Sequence, residues 1–169
     1  MQKINFFSKQ YETENSRNDE CFGIVDDGKL ARTVDANEKK DAVVINKQRK
    51  ETLFIPIDHN IDIRDKHNNE IPLCDGFLTT TEKSFLSFIE IKCQQKGAIA
   101  EATIQLTSTI NLFKNNNDIN KWNHRHAYVV NTFHPHFKSS IKIELQAFYK
   151  KTKFRLLPQT EIRMPFHPP

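Results

Sequence analysis

The run Phe85-Leu86-Ser87-Phe88-Ile89-Glu90-Ile91-Lys92 carries apolar residues at odd and even positions alike until Glu90 and Lys92 interrupt it. Successive side chains of a β-strand point to opposite faces, so a strand apolar on both must be covered on both. Such a segment belongs in the middle of a sheet. The chain has the material to cover it: of 169 residues, 37% are apolar and 13 are Phe, enough for burial to offset chain entropy. The length fits one domain over 1–169.

A second apolar run, Ile71–Thr79, precedes the first and is separated from it by Thr-Thr-Glu-Lys-Ser, the strongest hairpin signal in the chain. Upstream, strands are expected at Cys21–Val25, before the turn Asp26-Asp27-Gly28, at Asp41–Asn46 through Val43, Val44 and Ile45, and at Glu51–Asp58. Downstream, Ala98, Ala102, Leu106, Ile110 and Phe113 recur at helical spacing over Ala98–Lys114, ahead of an Asn-rich stop. Strands are then expected at Ala127–Thr132, at Ile141–Tyr149, where Ile141, Ile143, Leu145 and Ala147 alternate, and around Phe154–Leu157, pairing with the one before. Strands, helix, strands in that order indicate an α/β fold of mixed type, with a mixed sheet under helical cover.

The hairpin also concentrates the chemistry. With Thr81–Ser84 as the loop, Thr80 faces Phe85, and counting back along antiparallel partners sets Asp75 opposite Glu90. Period-two alternation puts Glu90 and Lys92 on one face, while Ile91 leaves its backbone carbonyl near the same edge. Two adjacent carboxylates at the end of a buried strand repel and are costly to desolvate unless a positive charge lies between them. Mg²⁺ or Mn²⁺ suits hard oxygen donors such as Asp75, Glu90 and the Ile91 carbonyl, and a neighbouring lysine can stabilise charge developing on a phosphodiester.

Asp75, then Glu90-Ile91-Lys92 after a hairpin, then a helix bearing Gln105, resembles the PD-(D/E)XK nuclease superfamily over roughly Ile71–Phe113. The resemblance implies a restriction-endonuclease-like core at about 51–132. It also implies metal-dependent hydrolysis of nucleic acid, with DNA as the expected substrate. By resemblance Asp75 and Glu90 bind the metal, Lys92 assists the attacking water, and Gln105 supports the site. Seven positions from Ala98, Gln105 falls close to the apolar stripe of its helix, as that role needs. Two positions depart from the pattern: Cys74 stands where the motif has Pro, and Thr109 where one branch carries Tyr. An upstream acid is also common in the superfamily, and Glu38, Glu51 and Asp58 are all candidates for it.

Two other readings stand beside this one. Lys92 can form a plain cross-strand salt bridge, or the domain can serve as an interaction module such as an immunity protein, inhibitor or defence-system subunit, with a protein partner or as a homodimer. Net charge is +4, which permits polyanion contact without demanding it. Basic residues cluster at Lys47, Arg49 and Lys50 and again at Lys150, Lys151, Lys153 and Arg155, and all of these but Arg155 are the candidate nucleic-acid contacts. The alternating pairs His124/His126 and His134/His136 have metal-ligand spacing on a strand, although surface histidines are the simpler account. Only 4 Gly and no glycine-rich phosphate loop argue against common nucleotide-binding folds. Three scattered cysteines suit reduced thiols, and no stretch reads as a signal peptide or membrane span, so a cytoplasmic location without membrane contact is expected.

Overall fold

The computed structural model describes residues 4–94, 96–133 and 141–165. Nine strands and two α-helices occur among them: β1 (Cys21–Val25), β2 (Arg32–Asp35), β3 (Ala42–Ile45), β4 (Thr52–Pro56), β5 (Gly76–Thr80), β6 (Phe85–Lys92), α1 (Ala98–Asn116), β7 (His124–Asn131), α2 (Lys142–Thr152), β8 (Arg155–Pro158) and β9 (Glu161–Arg163). The strands form two mixed sheets, one of four strands in the order β2-β1-β3-β9 and one of five in the order β4-β5-β6-β7-β8.

β6 is the middle strand of the larger sheet, antiparallel to β5 and parallel to β7, and its first seven residues are buried. Its two faces enter two separate cores. Leu86 and Phe88 join Phe77, Phe113, Trp122 and Phe154 beneath α1, while Phe85, Ile89 and Ile91 join Phe22, Ile24, Val44 and Ile162 of the four-stranded sheet. A helical layer and a second sheet therefore sandwich the five-stranded sheet, which is why β6 has no polar alternation. The Phe-rich composition is spent mainly on the helical side, where Phe113 packs edge-on against Phe77, Phe88 and Trp122.

The turn between β5 and β6 sets the register. Thr80 Oγ1 accepts hydrogen bonds from the N–H groups of Ser84 and Phe85, and Lys83 N–H donates to the Thr80 carbonyl while Lys83 itself adopts a left-handed φ of 59°. The pairing Gly76↔Ile89 through Thr79↔Leu86 follows. One residue further lies Asp75, opposite Glu90, as the four-residue loop requires.

Three sequence expectations give way. The alternation over Ile141–Tyr149 belongs to helix α2 and not to a strand, and β8 accordingly pairs with β7. The segment is rich in Lys, Glu, Leu, Gln and Ala, all strong helix formers, and the residues it buries, Phe148 and Thr152, are one turn apart. Ile143, counted on one face of a strand with Ile141, Leu145 and Ala147, is exposed. Strand β5 begins at Gly76 and not at Ile71, because the segment before it is bound to α1 (below). The short strands β2 and β9 carried no sequence signal; each is held by its neighbour in the smaller sheet.

Candidate active site

Side-chain alternation in β5 and β6 brings Asp75, Glu90 and Lys92 to the face covered by α1, at the end of the hairpin away from its turn. Asp75 is 8% exposed and Glu90 1%. Their hydrogen bonds interlock: Asp75 N–H donates to Glu90 Oε2 at 3.2 Å, and Ile91 N–H donates to Asp75 Oδ2 at 2.6 Å. β5 has not yet begun here, and the Asp75 side chain takes the place of a ladder partner for β6. Gly76 permits the approach of the third strand. A Cβ there would lie 2.6 Å from Phe54 Cζ and 2.8 Å from the Ile55 carbonyl oxygen, so any side chain would push β4 away from the base of the site.

Lys92 Nζ donates to Glu90 Oε1 at 2.8 Å and to Gln105 Oε1 at 2.6 Å. Gln105 sits on α1 and its Nε2 donates to the Leu73 carbonyl at 3.0 Å, which fixes which end of the amide faces the ammonium. One turn on, Thr109 Oγ1 accepts from Cys74 N–H and donates to the Gln105 carbonyl, both at 2.9 Å. Helix α1 thus grips consecutive residues, Leu73 and Cys74, immediately before Asp75. These bonds explain both why the strand starts late and why Thr109, a departure from the expected pattern, is part of the arrangement. The four-residue spacing of Gln105 and Thr109 was the available signal.

Burial raises the pKa of Asp75 above the usual carboxylate range, and the charge of Glu90 raises it further; the Ile91 N–H opposes this, and Asp26 adds to the rise. Glu90 is raised by burial as well, against the stabilising hydrogen bond and charge of Lys92 and the Asp75 N–H, while Asp58 pushes it up. Burial and the Glu90 charge also push the Cys74 thiol up, so it stays protonated. Of the three upstream acids considered, Asp58 is the one whose charge reaches Glu90. Glu38 instead accepts from Asp35 N–H, and Glu51 from the Ser16 hydroxyl.

The donor set fits a hard divalent cation. No hydrogen bond to Asp75 Oδ1 occurs among the described residues, each Glu90 oxygen retains a lone pair beyond its single bond, and Ile91 directs its N–H toward β5, so its carbonyl faces the same side. Burial raises both carboxyls although Lys92 stands 2.8 Å from Glu90, and a further cation would relieve the pair. Among the described residues, however, no group of three or more His, Cys, Asp or Glu side chains is clustered as for a metal.

Among the described residues, none of the candidate nucleic-acid contacts bonds to Asp75, Glu90, Lys92 or Gln105. Lys50 pairs with Glu82 and Ser84 in the β5–β6 turn, at the far end of a strand whose five steps span about 17 Å. Arg49 pairs with Glu20, Lys47 is exposed nearby, Lys150 and Lys151 ride on α2, and Lys153 is its left-handed C-cap. His126, partly buried between His124 and Arg155, is pushed down to about 4 and stays neutral; His134 and His136 lie outside the described residues. No helix is long and apolar enough to cross a membrane among the described residues. Compared with known proteins, the chain matches no family model, no curated protein and no solved structure.

Proposed function

We propose that the chain is a metal-dependent nuclease of the PD-(D/E)XK type that hydrolyses phosphodiester bonds in DNA. One observation carries this reading: Asp75, Glu90, Lys92 and Gln105, four residues chosen by motif, converge in one hydrogen-bonded group. A mixed sheet whose hairpin carries the acids and whose next element is a helix packed on that sheet supports it further.

In this reading Asp75, Glu90 and the Ile91 carbonyl hold Mg²⁺ or Mn²⁺, which supplies Lewis-acid polarisation of the scissile phosphate and neutralises its charge. Lys92 uses two of its three donors on Glu90 and Gln105 and keeps the third for a substrate oxygen or the attacking water. Gln105 keeps the ammonium from collapsing fully onto Glu90. The negative charges of Asp58 and Asp26 act on the two acids and would favour a cation there.

Purified protein with Mg²⁺ or Mn²⁺ should nick supercoiled plasmid DNA, EDTA should stop it, and Glu90→Ala or Lys92→Ala should each abolish it. Equal nicking by wild type and both variants would sink the proposal, since it would trace the activity to a contaminant. The position of Lys50 at the far end of the hairpin favours a second reading, a non-catalytic interaction module on the same fold. That reading expects no cleavage, together with a stable protein complex that survives Asp75→Ala.

A further inference from the structure

Of the large apolar side chains exposed among the described residues, Ile104, Ile143 and Tyr149 lie on the two helices and Phe133 follows β7. Ile104 on α1 is 59% exposed, and Ile143 and Tyr149 on α2 are 79% and 52% exposed. Tyr149 borders a separate hollow with Leu145 and Leu156, whereas Ile104 lines the groove between the helices, and apolar patches mark contact surfaces. Between the helices runs a groove with Ile99, Ile104, Ala147 and Phe148 among its lining residues, and Glu144 and Lys151 line it as well.

Those two charged residues decide what fits. They are seven positions apart on α2, nearly two turns and about 10 Å, on the stripe that also contains Ala147 and Phe148. Among the described residues neither forms an ion pair. Lys114 donates to the Thr152 carbonyl and adds a second positive charge at the Lys151 end. The stripe is therefore acidic at one end, basic at the other and apolar in the middle. Such a pattern is complementary to itself when reversed.

We propose that α2 is the centre of a two-fold dimer in which a second copy of this chain lies antiparallel across the α1–α2 groove. An axis passing between Ala147 and Phe148 sets Glu144 of each copy opposite Lys151 of the other, because a two-fold contact repeats every pairing twice. Parallel stacking would instead oppose like charges. Ala147, small and at the crossing, lets the helices approach closely, and Ile104 and Ile143 flank the crossing and leave water with it. Lys150 and Lys151, considered from the sequence as nucleic-acid contacts, then lie at or beside an interface between copies.

Sedimentation velocity over a concentration series from micromolar to millimolar tests this. Wild type should approach twice the 19.8 kDa chain mass. Glu144→Lys and Lys151→Glu should each weaken association at least about tenfold, and the double exchange should restore it to within about threefold, since it re-forms both ion pairs with the charges swapped. Both side chains are exposed in the single chain, so thermal melts at concentrations where all variants are monomeric should stay unchanged; Ile143→Ser gives an independent disruption that leaves the charges alone. A monomer at every concentration overturns the proposal and leaves the groove to a different protein. A dimer that neither single exchange weakens overturns it too, as does a double exchange that fails to restore what both single exchanges lost.

Discussion

Asp75 and Glu90 hold each other through the backbone: the Asp75 N–H donates to the Glu90 carboxylate, and the N–H following Glu90 donates to the Asp75 carboxylate. Neither acid can turn away without leaving a buried N–H unpaired, at a cost of about 1–3 kcal/mol. The two are thus kept close although their charges repel, and with Lys92 beside them the group carries net −1 when fully ionised. One bound proton makes it neutral.

Stability should depend on pH with a sign fixed by this pair. Both carboxyls have folded pKa values above their unfolded ones, so folding takes up protons. The associated stability is complete below the ordinary carboxylate range, near pH 4, and is lost as pH rises toward and through neutrality. Asp75→Asn, which can still accept from Ile91 N–H, should flatten this profile and raise stability at pH 8 by about 1–3 kcal/mol. Urea titrations at pH 5 and pH 8 measure it; a variant no more stable than wild type at pH 8 would mean the acids are not strained.

Divalent metal should compete with the shared proton. Titration calorimetry near pH 7 in two buffers of different ionisation heat should show release of up to about one proton per Mn²⁺ bound, and Glu90→Gln should remove both binding and release. Binding without proton release would place the ion elsewhere.

Lys92→Met removes the cation from a carboxylate that is 1% exposed. At pH 8 the variant should lose about 3–5 kcal/mol, the effect of stranding a buried charge, and much less at pH 5, where Glu90 can protonate. An equal loss at both values would assign the effect to packing.

Thr109→Val keeps the shape but leaves Cys74 N–H without its acceptor. A loss of about 1–3 kcal/mol in stability is expected. If the grip on Leu73 and Cys74 positions Asp75, metal affinity should fall as well, whereas Thr109→Ser should restore both; a stability loss with unchanged metal affinity would leave Thr109 a purely structural role.

What could be read in advance depended on how local its cause was. The doubly apolar β6 and the periodic α1 were visible because their patterns come from one strand or one helix facing a core. The hairpin register followed from the length of one loop. The identity of α2 was ambiguous, since alternating apolar residues over a short segment satisfy period two and, in part, a helical stripe; tertiary packing of Phe148 and Thr152 selected the helix. β2 and β9, three or four residues long, are strands by virtue of their partners alone.

By itself the sequence determined a central buried strand, the hairpin that faces Asp75 with Glu90, and the helical phase that turns Gln105 inward, because each is set by spacing within a few residues. Only the tertiary structure decided that α1 clasps the residues before Asp75, that Asp26 and Asp58 add their fields to the site, and that Lys50 falls at the far end of the hairpin. The clasp and the two fields join residues from 32 to 49 positions apart in the chain. Their geometry depends on how whole layers pack, which no local pattern encodes.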